Sequence, residues 1–253
     1  MDYFVAVITL LVLAFLYWRM IRREMPRPVS PFQAILPFAL GIVSMLIYGP
    51  CLIGFIRQFS HMSVYLSEAP PVLQGMLKAF LMAGFPEEML KMIFILIALV
   101  VLRSRVRNVY EYILIGAAIG AGFTVAEEWL YADTFQVSVF VIRMVGVAAH
   151  MAFNMVMGEY LGRARVCKLT GQGSPVKYTI LAFAIPCIIH TLYDTCITGN
   201  VLLQDESTAA LGGVIMVAAV ALLVVFQFVV LIRFRKKTEE FCAMSVQLKD
   251  DPI

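Results

Sequence analysis

The chain has 253 residues, of which 61% are hydrophobic and 15% charged, with a net charge of +3. A soluble domain is closer to half apolar and a quarter charged, so the excess has to face lipid, and an ordinary water-soluble globule is excluded. The five cysteines (Cys51, Cys167, Cys187, Cys196 and Cys242) are odd in number and form no CxxC pair, which speaks against a disulfide framework or a thiolate zinc site.

A bilayer-crossing run needs about 20 apolar residues, and seven such runs follow one another. The first covers residues 3–21; no A-x-A cleavage site follows it, so it reads as a retained span rather than a signal peptide. The second covers 32–56, with Pro37 and Pro50 inside it. The third, 72–102, would be about 45 Å long as one helix and contains Gly84, Phe85 and Pro86. Either an amphipathic piece over 72–83, with Lys78 reaching toward the interface, is followed by a new helix from Pro86, or a single helix is tilted and kinked. The fourth run covers 112–131, the fifth 137–161, the sixth 178–197 and the seventh 211–232. The expected fold is all-α: one integral membrane domain over 1–253, a polytopic bundle of about seven transmembrane helices.

The loops alternate in charge. Arg19, Arg22, Arg23 and Arg27 follow the first run, Arg103, Arg105 and Arg107 the third, Arg163, Arg165, Lys168 and Lys177 the fifth, and Arg233, Arg235, Lys236 and Lys237 the seventh. The other loops carry Arg57, Glu68, Asp133, Asp205 and Glu206. By the positive-inside rule the N-terminus lies outside and the C-terminus in the cytoplasm. Arginine-rich loops also suit nucleic acid, but the strict alternation reads as topology, and no nucleic-acid partner is expected.

Ionisable groups at bilayer depth cost a few kcal/mol each even on lenient scales, so they face a bundle interior or a wet cavity and mark function. Glu87, Glu88 and Lys91 lie in the third run, and Glu127 and Glu128 toward the outer end of the fourth. Arg143 and His150 lie in the fifth, and His190 and Asp194 in the sixth. Glu87 with Lys91, His150 with Asn154, and His190 with Asp194 are each four apart and share a helix face; Arg143 and His150 are seven apart. Counting along the helices puts Glu87, His150 and His190 near the midplane. A single pair could be structural glue, but a convergent set with two histidines suits proton transfer, activation of water, or metal binding. His61 reads as a loop residue. Gly116 with Gly120, and Gly158 with Gly162, fit close helix contacts. There is no GxSG-type serine motif, HExxH or P-loop.

Four segments resemble the PrsW family of intramembrane proteases. Glu87-Glu88-Met89-Leu90-Lys91 is similar to its EExxK motif, and Gly120-Ala121-Gly122-Phe123 with Glu127 and Tyr131 to its GxGF…ExxxY segment. Arg143, His150, Gly158 and Tyr160 resemble its third block, with the histidine in mid-helix, and His190-Thr191-Leu192-Tyr193-Asp194 its HxLxD block. The resemblance covers about residues 72–200, which would form the catalytic core; the first two spans and the last add little. Glu128 stands where the family often has Asn, and Pro86 where an apolar residue is more usual. PrsW is in turn distantly similar to the CAAX-protease superfamily. The resemblance implies a peptidase of a bacterial or archaeal inner membrane, multi-pass, acting on a single-span membrane protein. The family precedent is the first cut in a membrane-anchored anti-sigma factor.

With the ionisable residues at depth it points to a site of Glu87, Glu88, Glu127, His150, His190 and Asp194, supported by Lys91, Arg143 and Tyr131 and by Asn154 on the face of His150. In a metal-free version Glu87 or Glu88 is the general base and His150 helps hold the water. His190, oriented by Asp194, then stabilises the oxyanion, and Lys91 keeps a glutamate ionised. In a zinc version His150, His190 and one glutamate hold the ion. The residues leave both open, and the link to the CAAX proteases favours the version without a cofactor. Intramembrane carboxylates and histidines also suit a proton-coupled transporter, against which no inverted repeat is evident. An inactive scaffold that binds single-span helices is the remaining alternative.

Overall fold

A computed structural model describes residues 2–23, 28–59, 70–130, 132, 143–197, 200–204 and 206–247. Among these the chain is helical, without strands, and one isolated antiparallel bridge joins Asn108 to Ser245. The helices are α1 (Asp2–Ile21), α2 (Pro31–Phe59), α3 (Pro71–Ala79), α4 (Phe85–Val101), α5 (Val109–Leu130), α6 (Ala149–Thr170), α7 (Pro175–Ile197), α8 (Ala209–Lys236) and α9 (Thr238–Ala243). Five segments are long and apolar enough to cross a membrane: Tyr3–Ile21, Pro31–Cys51, Val109–Leu130, Pro175–Ile197 and Ala209–Lys236. All five cysteines are free.

The third and fifth expected runs take another form. The third is α3 and α4 joined by one π-helical stretch, Phe80–Gly84. The cause is Pro86, which has no N–H and whose ring collides with the carbonyl four residues back in a regular helix. That carbonyl is Met82's. The backbone widens instead, the Phe85 N–H reaches the Phe80 carbonyl, and the hydroxyl of Tyr48 on α2 donates to the freed Met82 oxygen. An unmet carbonyl at this depth would have no water to turn to. The chain therefore neither stops at Gly84 nor kinks simply; it runs on through a wide turn, a device common at functional sites.

The fifth run is shorter as a helix than its apolar pattern. Arg143–Val145 form a helical turn, Gly146–Ala148 bend, and α6 starts only at Ala149. His150 is thus in the first turn of its helix, not its middle. Residues 137–142 of that run, and His61, lie outside the described residues.

Helix α5 is the axis of the bundle, buried on nearly every face. Asn108 and Glu111 cap its start reciprocally. The Asn108 Oδ1 accepts the Glu111 N–H at 3.0 Å and the Glu111 Oε2 accepts the Arg107 N–H at 2.9 Å. Against α6 the glycines interlock. A Cβ on Gly116 would lie 2.0 Å from the Asn154 carbonyl oxygen, one on Gly120 2.3 Å from that of His150, and one on Gly158 2.3 Å from that of Tyr112. Helix α2 approaches the other side in the same way, through Gly41 and Gly122. Close backbone approach of this kind suits helices in lipid, where burial of apolar surface gives no drive to associate.

Helix α8 presents most of its length outward, with Leu211, Val214, Val217, Leu222, Val225 and Phe228 exposed, as a lipid-facing helix would. At its far end the buried Glu159 of α6 accepts bonds from Arg163 at 2.8 Å and from the guanidinium of Arg233. Beyond α9 the chain returns to the start of α5: the Val109 N–H donates to the Met244 carbonyl at 3.1 Å and the Val246 N–H to the Arg107 carbonyl at 2.9 Å.

Candidate functional site

The glutamate pair sits in the first turn of α4, where the free N–H groups of a helix start favour carboxylates. Glu88 is fully buried and Glu87 nearly so. One turn on, the Lys91 ammonium lies 3.1 Å from Glu87 Oε2 and 2.9 Å from Glu88 Oε1. It also lies 2.9 Å from His150 Nδ1 and 3.8 Å from the centre of the Phe123 ring. An ammonium has only hydrogens to offer, so His150 Nδ1 is the acceptor and its N–H is at Nε2. That Nε2 faces Glu127 Oε2 at 3.2 Å. Glu127 is held from behind by Arg143 Nη2 at 3.2 Å, and the Arg143 Nε lies 2.9 and 3.0 Å from the two oxygens of Glu128.

The second histidine arrives on α7. His190 Nδ1 lies 2.9 Å from Glu88 Oε1, and its Nε2 3.6 Å from Asp194 Oδ2, an ion-pair rather than hydrogen-bond distance. The two imidazoles are 5.1 Å apart, centre to centre, and Phe153 stacks on His190 at 5.6 Å. Asn154 donates from Nδ2 to the His150 carbonyl at 2.8 Å.

Every expected site residue among the described ones is therefore in one connected network: Glu87, Glu88, Lys91, Glu127, Arg143, His150, Asn154, His190 and Asp194. Tyr131 lies outside the described residues. Two placements differ from expectation. His150 is not deeper than Glu127: α5 and α6 run antiparallel, so the last turns of α5 lie beside the first turn of α6 and the two side chains meet at one level. Arg143 and His150 do not share one helix; the bend at Gly146–Ala148 separates them, and Glu127 bridges the two instead. The role of Tyr48 had no signal in sequence, since only the widened turn creates the carbonyl it serves.

Five carboxyl groups (Glu87, Glu88, Glu127, Glu128 and Asp194) here face one ammonium and one guanidinium in a largely buried site. Glu87, Glu88, His150 and His190 each offer one ligand atom, all within 4.8 Å of one another. Glu88 Oε2 is buried and finds no hydrogen-bond partner among the described residues. Two imidazoles with carboxylate oxygens suit a zinc-class ion, so the residues fit a metal. The Lys91 ammonium touches the same donors. Removing it by Lys91→Met leaves two buried glutamates without their shared cation. Breaking a buried pair in this way costs about 3–5 kcal/mol. Thermal unfolding in detergent is expected to shift down accordingly, and an unchanged midpoint would show that the ammonium does not carry this balance.

A family described as PrsW family intramembrane metalloprotease matches residues 31–240, so the likeness extends well beyond 72–200 and takes in α2 and α8. The chain is 34% identical over 121 residues to Protease PrsW of Bacillus subtilis (strain 168), covering 47% of this chain and 54% of that protein. It is 31% identical over 120 residues to Protease PrsW of Halalkalibacterium halodurans, covering 47% and 54%. With Protease PrsW of Oceanobacillus iheyensis the identity is 28% over 124 residues, covering 49% and 55%. The aligned part thus spans about half the length of these curated relatives. No solved structure matches the chain. On the match over 31–240, the chain belongs to the PrsW family of intramembrane metalloproteases.

Proposed function

We propose that the chain is a peptidase that hydrolyses a single-span membrane protein within the bilayer, with Glu87 as general base. The observation that carries this reading is the asymmetry of the glutamate pair. Glu88 is sealed, and its Oε1 is engaged by both Lys91 and His190. Glu87 keeps a small exposed edge and pairs through Oε2 alone with Lys91. A base must reach a proton on water, and Glu87 is the member of the pair placed to do so. It takes a proton from the water whose oxygen attacks the scissile carbonyl carbon. When the C–N bond breaks, it returns that proton to the departing nitrogen.

Glu88, His150 and His190 are the residues that would hold a zinc-class ion. Such an ion supplies Lewis acidity, polarising a carbonyl and making water a stronger acid. Glu127 accepts from His150 Nε2 and so fixes the ring's orientation and tautomer, and Asp194 steadies His190. Arg143 in turn holds Glu127. A second, metal-free reading rests on the Lys91 ammonium, which lies 2.9 Å from both Glu88 and His150 and could provide the positive charge itself.

The basic loops support a topology with seven crossings, an external N-terminus and a cytoplasmic C-terminus. In that frame α4 would cross despite its 17 residues. Glu87 and His190 then lie about 20 Å along their helices from the cytoplasmic end, at 1.5 Å per residue. This puts the cut in the outer half of a bacterial or archaeal cell membrane.

The test is cleavage of a panel of tagged single-span peptides in liposomes, with and without a chelator. Cleavage is expected, lost on chelation and restored by zinc. Cleavage that survives chelation would transfer the role of the ion to Lys91. No cleavage of any peptide, together with proton-coupled uptake by the same vesicles, would replace the peptidase by a carrier. No cleavage and no uptake would leave a helix-binding scaffold.

A further inference from the structure

Between Ala209 and Ile232 the only polar side chain is Gln227. An amide in a lipid-spanning helix is costly unless it is put to use, and the rest of α8 is built to face lipid. Gln227 is buried, and both ends of its amide are taken. Its Oε1 accepts the Ala148 N–H at 2.9 Å. Its Nε2 donates to the Val145 carbonyl at 3.1 Å and, within its own helix, to the Leu223 carbonyl at 3.3 Å.

Those two partners on the facing chain are the ends of the bend that separates Arg143 from His150. Helix α6 starts at Ala149, and the residue before it, Ala148, is an alanine with no side chain able to cap the free N–H groups of the first turn. Ser, Thr, Asp or Asn normally does this work from the same strand of chain. Gln227, on a neighbouring helix, instead takes the N–H of Ala148 itself, just ahead of that turn. The site lies on either side of the bend, with Arg143 on Glu127 and Glu128 before it, and His150 on Lys91 and Glu127 after it. Helix α8 reaches the other histidine too, since Phe226 packs on Phe153 at 5.5 Å and Phe153 stacks on His190.

We infer that Gln227 is a positioning residue for the peptidase reaction: it clamps the Val145–Ala148 bend and so sets the depth and direction from which His150 and Arg143 meet Glu127. The inference rests on the peptidase reading, and it adds α8 to the machinery. Gln227 touches no reacting atom. Its effect is geometric, and it falls on turnover rather than on substrate capture.

The test compares Gln227→Met, which keeps length and apolar bulk, with Gln227→Glu, which keeps the acceptor for the Ala148 N–H and loses the donor. Phe228→Leu, on the lipid-facing side of the same helix, is the control. Gln227→Met is expected to lower kcat by about 10- to 100-fold at unchanged KM, as for a catalytic group displaced by about 1 Å. Gln227→Glu is expected to fall between it and the wild type, and Phe228→Leu to match the wild type. Hydrogen exchange in detergent is read alongside. Gln227→Met is expected to speed exchange over residues 144–152 and leave 110–125 as in the wild type. A wild-type kcat in Gln227→Met, or unchanged exchange over 144–152, overturns the clamp. Loss of exchange protection throughout the bundle would show a general packing role and also overturns it. A wild type that cleaves no peptide overturns the peptidase reading alone, and the exchange result still decides on the clamp.

Discussion

Glu87→Gln is expected to lower kcat for cleavage by about 10²- to 10⁴-fold, the range associated with loss of a general base, with little change in KM. Gln has the shape of Glu and offers Lys91 the same carbonyl-type acceptor, so the 3.1 Å contact on α4 can persist while the basic oxygen is gone. Membrane insertion and the unfolding midpoint in detergent should stay at wild-type values. Glu88→Gln should behave differently. It removes charge from the oxygen shared by Lys91 and His190, so stability and activity fall together. Steady-state cleavage measured beside thermal unfolding separates the two. If Glu87→Gln cleaves normally and Glu88→Gln is inactive but stable, the roles within the pair are reversed. If both cleave normally, neither glutamate is the base.

The second large effect is expected at a position with no chemistry of its own. In Gly120→Ala the new methyl group would lie 2.3 Å from the His150 carbonyl oxygen, 2.7 Å from its carbon and 2.8 Å from the Met151 Cα. All three are backbone or near-backbone atoms that cannot rotate aside, so α6 must move away from α5 as a unit. Overpacking of this kind costs about 1–3 kcal/mol. The displacement is greatest at His150, whose contacts with Lys91 and Glu127 have little slack at 2.9 and 3.2 Å. Activity is expected to drop about 100-fold, well beyond what the loss of stability explains at room temperature. Gly213→Ala on α8 meets nothing within 4 Å and serves as the comparison. Equal activity of the two alanine variants would mean that the α5–α6 contact does not hold the histidine in place.

The elements most legible in sequence were those with one dominant signal. Apolar runs located α1, α2, α5, α7 and α8 to within a few residues, because lipid imposes length and hydropathy directly on each helix. The convergence of Glu87, His150 and His190 was also legible, since charges at depth have few reasons to be there. The rest depends on relations between helices. Apolar composition continues through Gly146–Ala148, so the pattern alone could not show that α6 starts at Ala149. The level of Glu127 follows from the stagger of two antiparallel helices, which the spacing along α5 does not contain. Gln227 was passed over for a related reason. A lone amide in an apolar run carries no periodicity, and its meaning comes from the Val145–Ala148 bend some 80 residues earlier in the chain. Tyr48 answers a carbonyl exposed by Pro86, again across a helix boundary.

The return of the chain from α9 to the start of α5 has a consequence for biogenesis. Val109 and Arg107 receive their backbone partners from Met244 and Val246, which emerge from the ribosome only after α6, α7 and α8. The central helix can enter the membrane early, because Asn108 and Glu111 already close its first turn. Its N-terminal end nonetheless stays unfinished until the last helix has been threaded. The candidate site built around α5 is thus completed after insertion rather than during it, and a nascent chain halted before residue 244 would sit in the bilayer as an assembled but unlatched bundle.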